Sequence, residues 1–329
     1  MNWQDKKVLI TGAGGFIGSR LTERLVELGA RVRAAVRYNS RNDWGLLELL
    51  PAEIKASLEI SPGDITDPFW TARLVGGCEI IFHLAALIAI PYSYVAPAQF
   101  VAVNCTGTLN LLEAARRAAV ECFVHTSTSE TYGTAQYTPI DEKHPLRGQS
   151  PYAASKIGAD KLAESYYLSF GLPVATLRPF NTFGPGQSAR AVIPTIICQG
   201  LDSEEIRLGL LTPRRDFLFV QDTVAGFIKM AESPAAMGEV INIGSGIGVS
   251  IGEVAQRITD LLGGGKKVVQ DEVRFRPPDS EVMELLCDNR KARTLLDWQP
   301  QVSLEQGLQA TISFIREHRE RYKPGTYNI

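Results

Sequence analysis

The sequence predicts an α/β fold: a doubly wound parallel sheet with helices on both faces, followed by a smaller C-terminal α/β lobe. Short apolar runs alternate with longer segments whose apolar residues recur at helical spacing, which is typical of right-handed strand–helix–strand units. The apolar runs are continuous, as in "CEIIFHLAA" at 78–86, and strands covered on both faces require such runs. From about residue 180 the pattern changes to short elements between Gly, Pro and Arg clusters, which favours the smaller lobe.

The first strand is predicted at 7–10, where "KVLI" runs into the glycine-rich stretch "TGAGG". A helix follows at 16–29 and ends on Gly29, because glycine accepts the left-handed backbone found after a helix C-terminus. Further strands are predicted, in chain order, at 30–36, within 58–67, and at 78–86, 121–127 and 173–180. Two longer helical patterns are predicted at 98–120 and 150–171.

Composition excludes several classes of protein. Lys and Arg number 34 against 36 Asp and Glu, so no nucleic-acid partner is expected from charge. We expect a cytoplasmic protein without a membrane segment, because no signal peptide precedes the first strand and no apolar run reaches about 20 residues. The five cysteines have no paired spacing and predict buried thiols in a reducing compartment, with no metal site.

The stretch "TGAGGFIG" predicts a dinucleotide site. It places Gly12, Gly15 and Gly18 between the first strand and the first helix. One glycine permits the tight turn, another lets backbone N–H groups approach a pyrophosphate at the helix N-terminus, and the last lets helix pack on strand. In this context the glycines are typical of a Rossmann-like domain.

The segment after the second strand bears on which dinucleotide binds. An NAD site usually carries an acid there to hold the ribose hydroxyls, but this strand ends in "AAVRYNSRN", with Arg37 near the expected position and Arg41 beyond it. Arginine suits a 2′-phosphate, so NADP is the first expectation and NAD the second. Asp64 and Ile65, in "GDITD", fit an adenine pocket.

The stretch "SPYAASK" opens the helix predicted at 150–171, with Ser150 as N-cap and Pro151 at the first helical position. Tyr152 and Lys156 lie four residues apart and therefore share a helix face. The lysine charge would lower the pKa of the phenol, which could then accept a proton from a sugar hydroxyl while nicotinamide takes hydride.

Together these stretches resemble the extended short-chain dehydrogenase/reductase family, in particular its nucleotide-sugar epimerases and dehydratases. The resemblance covers nearly the whole chain and includes "TGAGGFIG", "GDITD", "FHLAA", "TSTSETYG", "YAASK", "LRPFNTFGPGQ", "RRDFLFVQD" and "RPPDSEV". It implies a dinucleotide-binding domain at 1–178, to which strands near 218–245 return, and an interleaved nucleotide-sugar lobe at 179–329.

The resemblance also assigns roles. Thr128 would bond the sugar C4 oxygen beside Tyr152 and Lys156. The other cofactor contacts would be Phe16, Ile17, Leu84, Ala85 and Ala86. The substrate contacts would be Asn181, Arg190, Val192, Arg215 and Arg276, the last two on the diphosphate. The family's homodimers would correspond here to a four-helix bundle of the helices near 98–118 and 151–170, with Ala114, Ala115, Ala118, Ala153, Ala154 and Ala159 as small contact residues.

The loop "TSTSETYG" bears on the reaction. Dehydratases of the family need an acid after the threonine to remove the C5 proton once C4 is a ketone, and Glu130 is placed for this. Many carry an Asp–Glu pair, whereas here Ser129 stands in place of the Asp. We therefore expect a 4,6-dehydratase with one catalytic carboxylate.

The segments "VRAAVRYNSRNDWG" and "HLAALIAIPYSY" further resemble dehydratases of legionaminic-acid-type pathways, which act on UDP- or GDP-N-acetylglucosamine. The alternatives are a UDP-glucuronate decarboxylase, a nucleotide-sugar 4-epimerase and, more remotely, a non-enzymatic NADP-sensing binding protein.

Overall fold

The structure, a computed structural model, describes residues 1–322, so the end of the lobe predicted at 179–329 lies outside the described residues. The strands are β1 (Lys7–Thr11), β2 (Arg31–Arg37), β3 (Glu59–Gly63), β4 (Ile80–His83), β5 (Cys122–Thr126), β6 (Val174–Pro179), β7 (Asn181–Phe183), β8 (Glu205–Leu208), β9 (Arg214–Phe219), β10 (Val240–Ile243), β11 (Gly248–Ser250), β12 (Lys267–Gln270) and β13 (Glu284–Leu285). The helices are α1 (Phe16–Glu27), α2 (Ala52–Ser57), α3 (Pro68–Val75), α4 (Ile90–Val95), α5 (Pro97–Phe100), α6 (Gly107–Ala118), α7 (Pro151–Phe170), α8 (Val192–Asp202), α9 (Val220–Glu232), α10 (Ile251–Leu261), α11 (Arg290–Leu296) and α12 (Leu304–Glu317).

The predicted fold class is confirmed by a parallel sheet of seven strands in the order β10-β6-β5-β4-β1-β2-β3. One hydrophobic cluster lies between the sheet and α1 and α9, and a second lies between its other face and α3, α6 and α7. Strand order reverses beside β1, where the chain leaves toward β2 on one side and β4 on the other. Ligands of such sheets bind beyond the carboxyl ends of the strands at this point.

The second lobe is built around β9. This strand pairs in parallel with β7 and β13 and antiparallel with β11, while β8 and β12 form a separate parallel pair. Helices α8, α10 and α12 pack against a third hydrophobic cluster that contains Phe183 and Phe219. Strand β10 returns to the first sheet beside β6, so the chain crosses between the two parts more than once. The domain boundaries at 178 and 179 stay a prediction.

Two long helical patterns differ in how they form. Helix α7 begins as expected: Ser150 Oγ accepts a hydrogen bond from Ala153 N at 3.1 Å, and Pro151 is the first helical residue. The pattern at 98–120 is interrupted between α5 and α6 by a π-helical turn. The extra residue turns Asn104 inward, where its amide bonds the backbone of Leu87 and the hydroxyl of Ser155.

Within residues 1–322, each helix is too short or too polar to cross a membrane.

Candidate active site

The glycine turn positions the N-terminus of α1 at the edge of the sheet. Gly12 has a φ of +72°, and a Cβ there would lie 2.8 Å from Ala85 N, so only glycine fits. A Cβ on Gly18 would collide with the carbonyl oxygen of Gly12, so position 18, in the first turn of α1, must be glycine. Gly15 is different, because a Cβ there would approach only Gly12 O, at 3.2 Å. The N–H groups of the first helical turn therefore face open space that suits a pyrophosphate.

A cleft of about 1030 Å³ runs from this turn across the carboxyl ends of β1, β2 and β4. All the residues predicted to contact the cofactor line it: Gly12, Gly15, Phe16, Ile17, Gly18, Arg37, Asp64, Ile65, Leu84, Ala85, Ala86, Tyr152 and Lys156. The cleft thus has the volume that a dinucleotide requires, and a helix N-terminus at one end that suits an anion.

The loop after β2 adds cleft residues that the sequence interpretation missed, among them Asn39, Asp43 and Trp44. Asp43 is an acid in this loop, but its Oδ1 accepts from Gly45 N at 2.7 Å and so belongs to the turn. Arg37 and Arg41 also line the cleft here, together with Asp64, so both cationic and anionic side chains are present at this end.

The hydroxyl, phenol and ammonium groups predicted to act on the sugar meet at the inner end of this cleft. The phenol of Tyr152 shares a hydrogen bond with the Thr128 side chain, and Lys156 Nζ donates to Thr126 O at 2.5 Å. Burial lowers the pKa of Lys156 to about 8, against the opposing charge of Asp160.

Burial also raises the pKa of Tyr152 above its ordinary value, with a smaller contribution from the charge of Glu130. This corrects the expectation that the phenol has a lowered pKa, because the loss of hydration on burial outweighs the hydrogen bond from Thr128, which favours the phenolate.

Glu130 lies where two clefts meet. Thr128 Oγ1 accepts from Glu130 N at 3.3 Å and so caps the short 3₁₀ turn Ser129–Tyr132. This turn leaves Ser129 buried and places Glu130, which is half-buried, in the wall of both clefts. The Glu130 charge acts on Tyr152 from one side and on Arg215 from the other.

The second cleft, of about 810 Å³, lies between the two lobes and contains the predicted substrate contacts Asn181, Arg190, Val192, Arg215 and Arg276. Asn181, Arg190 and Arg276 line both clefts, so the two spaces are continuous. Burial lowers the pKa of Arg215, and the charge of Glu130 opposes this. Cationic side chains thus line the cleft beside the proposed sugar position.

The sequence interpretation missed Glu281, whose Oε1 lies 3.4 Å from Arg215 Nη2 and 3.6 Å from Arg276 Nη1. It also missed Tyr94 on α4, whose hydroxyl is 2.6 Å from Ser280 Oγ across the cleft rim. Glu281 belongs to the same "RPPDSEV" stretch as Arg276, and its place in that stretch could have indicated it as a site residue. Within residues 1–322, no group of three or more His, Cys, Asp or Glu side chains is placed to hold a metal ion.

The fold and the two clefts define a dinucleotide-dependent enzyme of the nucleotide-sugar epimerase and dehydratase class. Residues 9–311 match the family model described as GDP-mannose 4,6 dehydratase, and the chain belongs to this family. The curated relatives include a UDP-glucose 4-epimerase from Mycolicibacterium smegmatis, 34% identical over 94% of this chain and 98% of the relative. They also include a dTDP-glucose 4,6-dehydratase from Streptomyces antibioticus, 33% identical over 96% of this chain and 94% of the relative.

Among solved structures, the dTDP-glucose 4,6-dehydratase DesIV from Streptomyces venezuelae, with NAD bound, is similar with a TM-score of 0.87. It is 30% identical and covers 97% of this chain and 99% of its own. The prediction of a nucleotide-sugar enzyme of the extended short-chain dehydrogenase/reductase family is thereby confirmed. Epimerases and dehydratases both stand among the relatives, and the cofactor of this structural neighbour is NAD.

Proposed function

We propose that this protein is a nucleotide-sugar 4,6-dehydratase with Glu130 as its base. The observation that carries the proposal is the position of Glu130 at the junction of the two clefts, between Tyr152 and Arg215. A carboxylate beside the C4 acid–base pair is what a proton abstraction at C5 requires. A 4-epimerase has no such step.

The proposed reaction has two parts, the oxidation at C4 and the loss of water across C5 and C6. A bound nicotinamide dinucleotide would accept hydride from C4 of the sugar and later return it at C6. Tyr152 takes the proton of the C4 hydroxyl, Thr128 orients that oxygen, and the ammonium of Lys156 stabilises the phenolate. The raised pKa of Tyr152 makes this ammonium charge necessary.

Once C4 is a ketone, the C5 proton is acidic and Glu130 removes it. The C6 hydroxyl then leaves as water, and Glu130 supplies the proton that this departure needs. When hydride returns to C6, C5 takes up a new proton from solvent, which completes the 4-keto-6-deoxy product. Ser129, which stands in the place of a second carboxylate, is buried and is a poor acid near neutral pH. The proposal therefore assigns both proton transfers of the elimination, from C5 and to the leaving hydroxyl, to Glu130.

For the substrate, we propose a UDP- or GDP-hexose of the N-acetylglucosamine type, as in legionaminic-acid-type pathways. Arg215 and Arg276 would hold the diphosphate, because guanidinium groups bind such anions through paired hydrogen bonds. Asn181, Arg190 and Val192 would contact the remainder of the nucleotide sugar. This identification rests on the resemblance of the "VRAAVRYNSRNDWG" and "HLAALIAIPYSY" segments.

For the cofactor, we propose NADP, with NAD as the alternative that the DesIV structure supports. Arg37 and Arg41 line the adenosine end of the cleft, and Asp43 is engaged in its own turn. A 2′-phosphate would find cationic partners here.

We also propose a cytoplasmic homodimer. The five free thiols are typical of a reducing compartment. The outer surfaces of α6 and α7 carry exposed Leu109, Ala118 and Ala154. The other predicted contact residues, Ala114, Ala115, Ala153 and Ala159, are buried within the protomer and are therefore excluded from this surface.

The test is incubation of the full-length protein with UDP-, GDP- and dTDP-sugars, followed by mass spectrometry. Loss of water marks dehydration, loss of carbon dioxide marks decarboxylation, and unchanged mass with altered stereochemistry marks epimerisation. In Glu130→Gln, cofactor reduction should survive while elimination slows by about 10²–10⁴-fold, so a 4-keto sugar accumulates with its C6 hydroxyl intact. Release of water at the wild-type rate by this variant would refute the assignment of Glu130.

A further inference from the structure

A buried charge network lies beneath Lys156. Arg178 on β6 donates from Nη2 to Asp160 Oδ2 and from Nη1 to the Tyr132 hydroxyl, each at 2.7 Å. Ser127 Oγ donates to Asp160 Oδ2 at 2.6 Å, and His125 Nε2 lies 3.0 Å from Asp160 Oδ1. Asp160, the most exposed of the five side chains, is only 5% exposed. An ion pair so well hydrogen-bonded and so deeply buried holds its members in one geometry.

This network reaches the proposed catalytic residues at two points. Asp160 follows Lys156 by four residues on α7, so the carboxylate and the ammonium share a helix face. Ser127, bonded to Asp160, lies between Thr126, whose carbonyl accepts from Lys156 Nζ, and Thr128, which bonds Tyr152.

We infer that Asp160 is a positioning residue: its carboxylate keeps Lys156 in the ammonium form and, through Ser127, fixes the strand end that carries Thr128. The inference deepens the proposed function and rests on it for the roles of Lys156 and Thr128.

The charges around Lys156 support this role. The titratable and charged groups that face it are Tyr152 and Asp160 on α7, Cys105 on the π-helical turn, His83 on β4, His125 on β5 and Arg178 on β6. Burial lowers the pKa of both histidines and raises the pKa of Cys105, so these three groups are neutral at pH 7.

Burial alone would raise the pKa of Asp160, but Arg178 and His125 hold it below its ordinary value. Asp160 therefore supplies the negative charge that opposes the loss of the Lys156 proton. Without it, the pKa of Lys156 would fall below its value of about 8.

The test is a direct titration of Lys156 in the full chain without substrate. Lysines are labelled with ¹³C at Cε, and the Lys156 signal is identified as the one missing from Lys156→Arg. In the wild type it should titrate at a pH of about 8. In Asp160→Asn the midpoint should fall by about one unit or more, a tenfold loss of proton affinity. Glu164→Gln is the matched control, because it removes an exposed carboxylate from the same helix and should leave the midpoint unchanged.

Asp160→Asn leaves Arg178 buried beside a neutral amide, which can prevent folding. In that case Arg178→Lys is compared with Asp160→Asn/Arg178→Lys, because a lysine can lose its proton when it is left unpaired. The second protein should again show the lower midpoint for Lys156. A Lys156 midpoint that is the same with and without the carboxylate, in folded protein, overturns the inference.

The pH dependence of the rate of cofactor reduction gives a second test, because a purely structural role of Asp160 would leave it unchanged. The rate of cofactor reduction should decline at high pH as Lys156 loses its proton, and this limb should shift to lower pH in Asp160→Asn by the same amount as the titration. The two proposals can fail independently. If the protein catalyses a different reaction, the expected titration of Lys156 is unaffected. If it is a dehydratase but the Lys156 midpoint is the same in Asp160→Asn, only the role of Asp160 is refuted.

Discussion

Replacing Gly15 and Gly18 by alanine, one at a time, separates binding of the dinucleotide from packing of the first domain. A Cβ on Gly18 would overlap the backbone carbonyl of Gly12, which cannot move without opening the turn. Overpacking of this kind costs about 3 kcal/mol, or about 4 °C in Tm for a chain of this size. At Gly15 the backbone is extended, with φ of −80° and ψ of 177°, and alanine tolerates this conformation. Its Cβ would lie 3.2 Å from Gly12 O, a tight contact but not an overlap, so we expect Gly15→Ala to lower Tm by less than Gly18→Ala.

At Gly15, alanine should weaken dinucleotide binding more than it lowers the stability of the fold. The new methyl group would stand between the first turn of α1 and an approaching pyrophosphate. Loss of one hydrogen bond to a charged group costs about 1.5–3 kcal/mol, which corresponds to about a 10–100-fold weaker Kd. Fluorescence titration with NADP and NAD, paired with thermal denaturation, measures both quantities. A folded Gly15→Ala protein that binds both dinucleotides as tightly as the wild type would refute the placement of the pyrophosphate at this turn.

Three further variants test other parts of the structure. Arg37→Ala should weaken NADP by about 10–100-fold and leave NAD nearly unchanged, and equal weakening of both in binding titrations would contradict the NADP assignment. Leu109→Arg places a charge on α6, at a side chain that is 37% exposed, and should yield monomers in sedimentation. The control variant Ile247→Arg, in the second lobe, should stay dimeric. A wild-type protein that is already monomeric would count against the homodimer. Asp222→Ala removes the carboxylate that accepts hydrogen bonds from Gln301 N and Val302 N, each at an N···O distance of 3.0 Å. Loss of both bonds should lower Tm by about 4–8 °C. An unchanged Tm in calorimetry would show that water replaces both bonds.

Some features followed from the sequence because local spacing determines them. Gly12 and Gly18 occupy positions where backbone approaches backbone, so no other residue fits and the turn is recognisable from the letters alone. Ser150 and Pro151 begin α7 because capping depends on residues a few positions apart. The shared face of Tyr152 and Lys156 likewise follows from the pitch of one helix.

Other features depend on contacts between distant parts of the chain. The junction that places Glu130 near Arg215 joins segments 85 positions apart (215 − 130), and no local pattern encodes their distance. Within the π-helical turn of the pattern at 98–120, Asn104 bonds the loop after β4 and helix α7, and the local sequence does not encode these contacts.

Burial in particular was decided by the tertiary structure. The alanines at 114, 115, 153 and 159 turn into the protomer, although their small size suited a helix surface equally well. The pKa of Tyr152 rises instead of falling because several elements together remove water from the phenol. The sequence by itself determined which chemical groups are present and how each turn begins. Hydration, distance and charge balance around those groups arise only when strands and helices from the whole chain pack together, since each is a sum over neighbours that the local sequence does not contain.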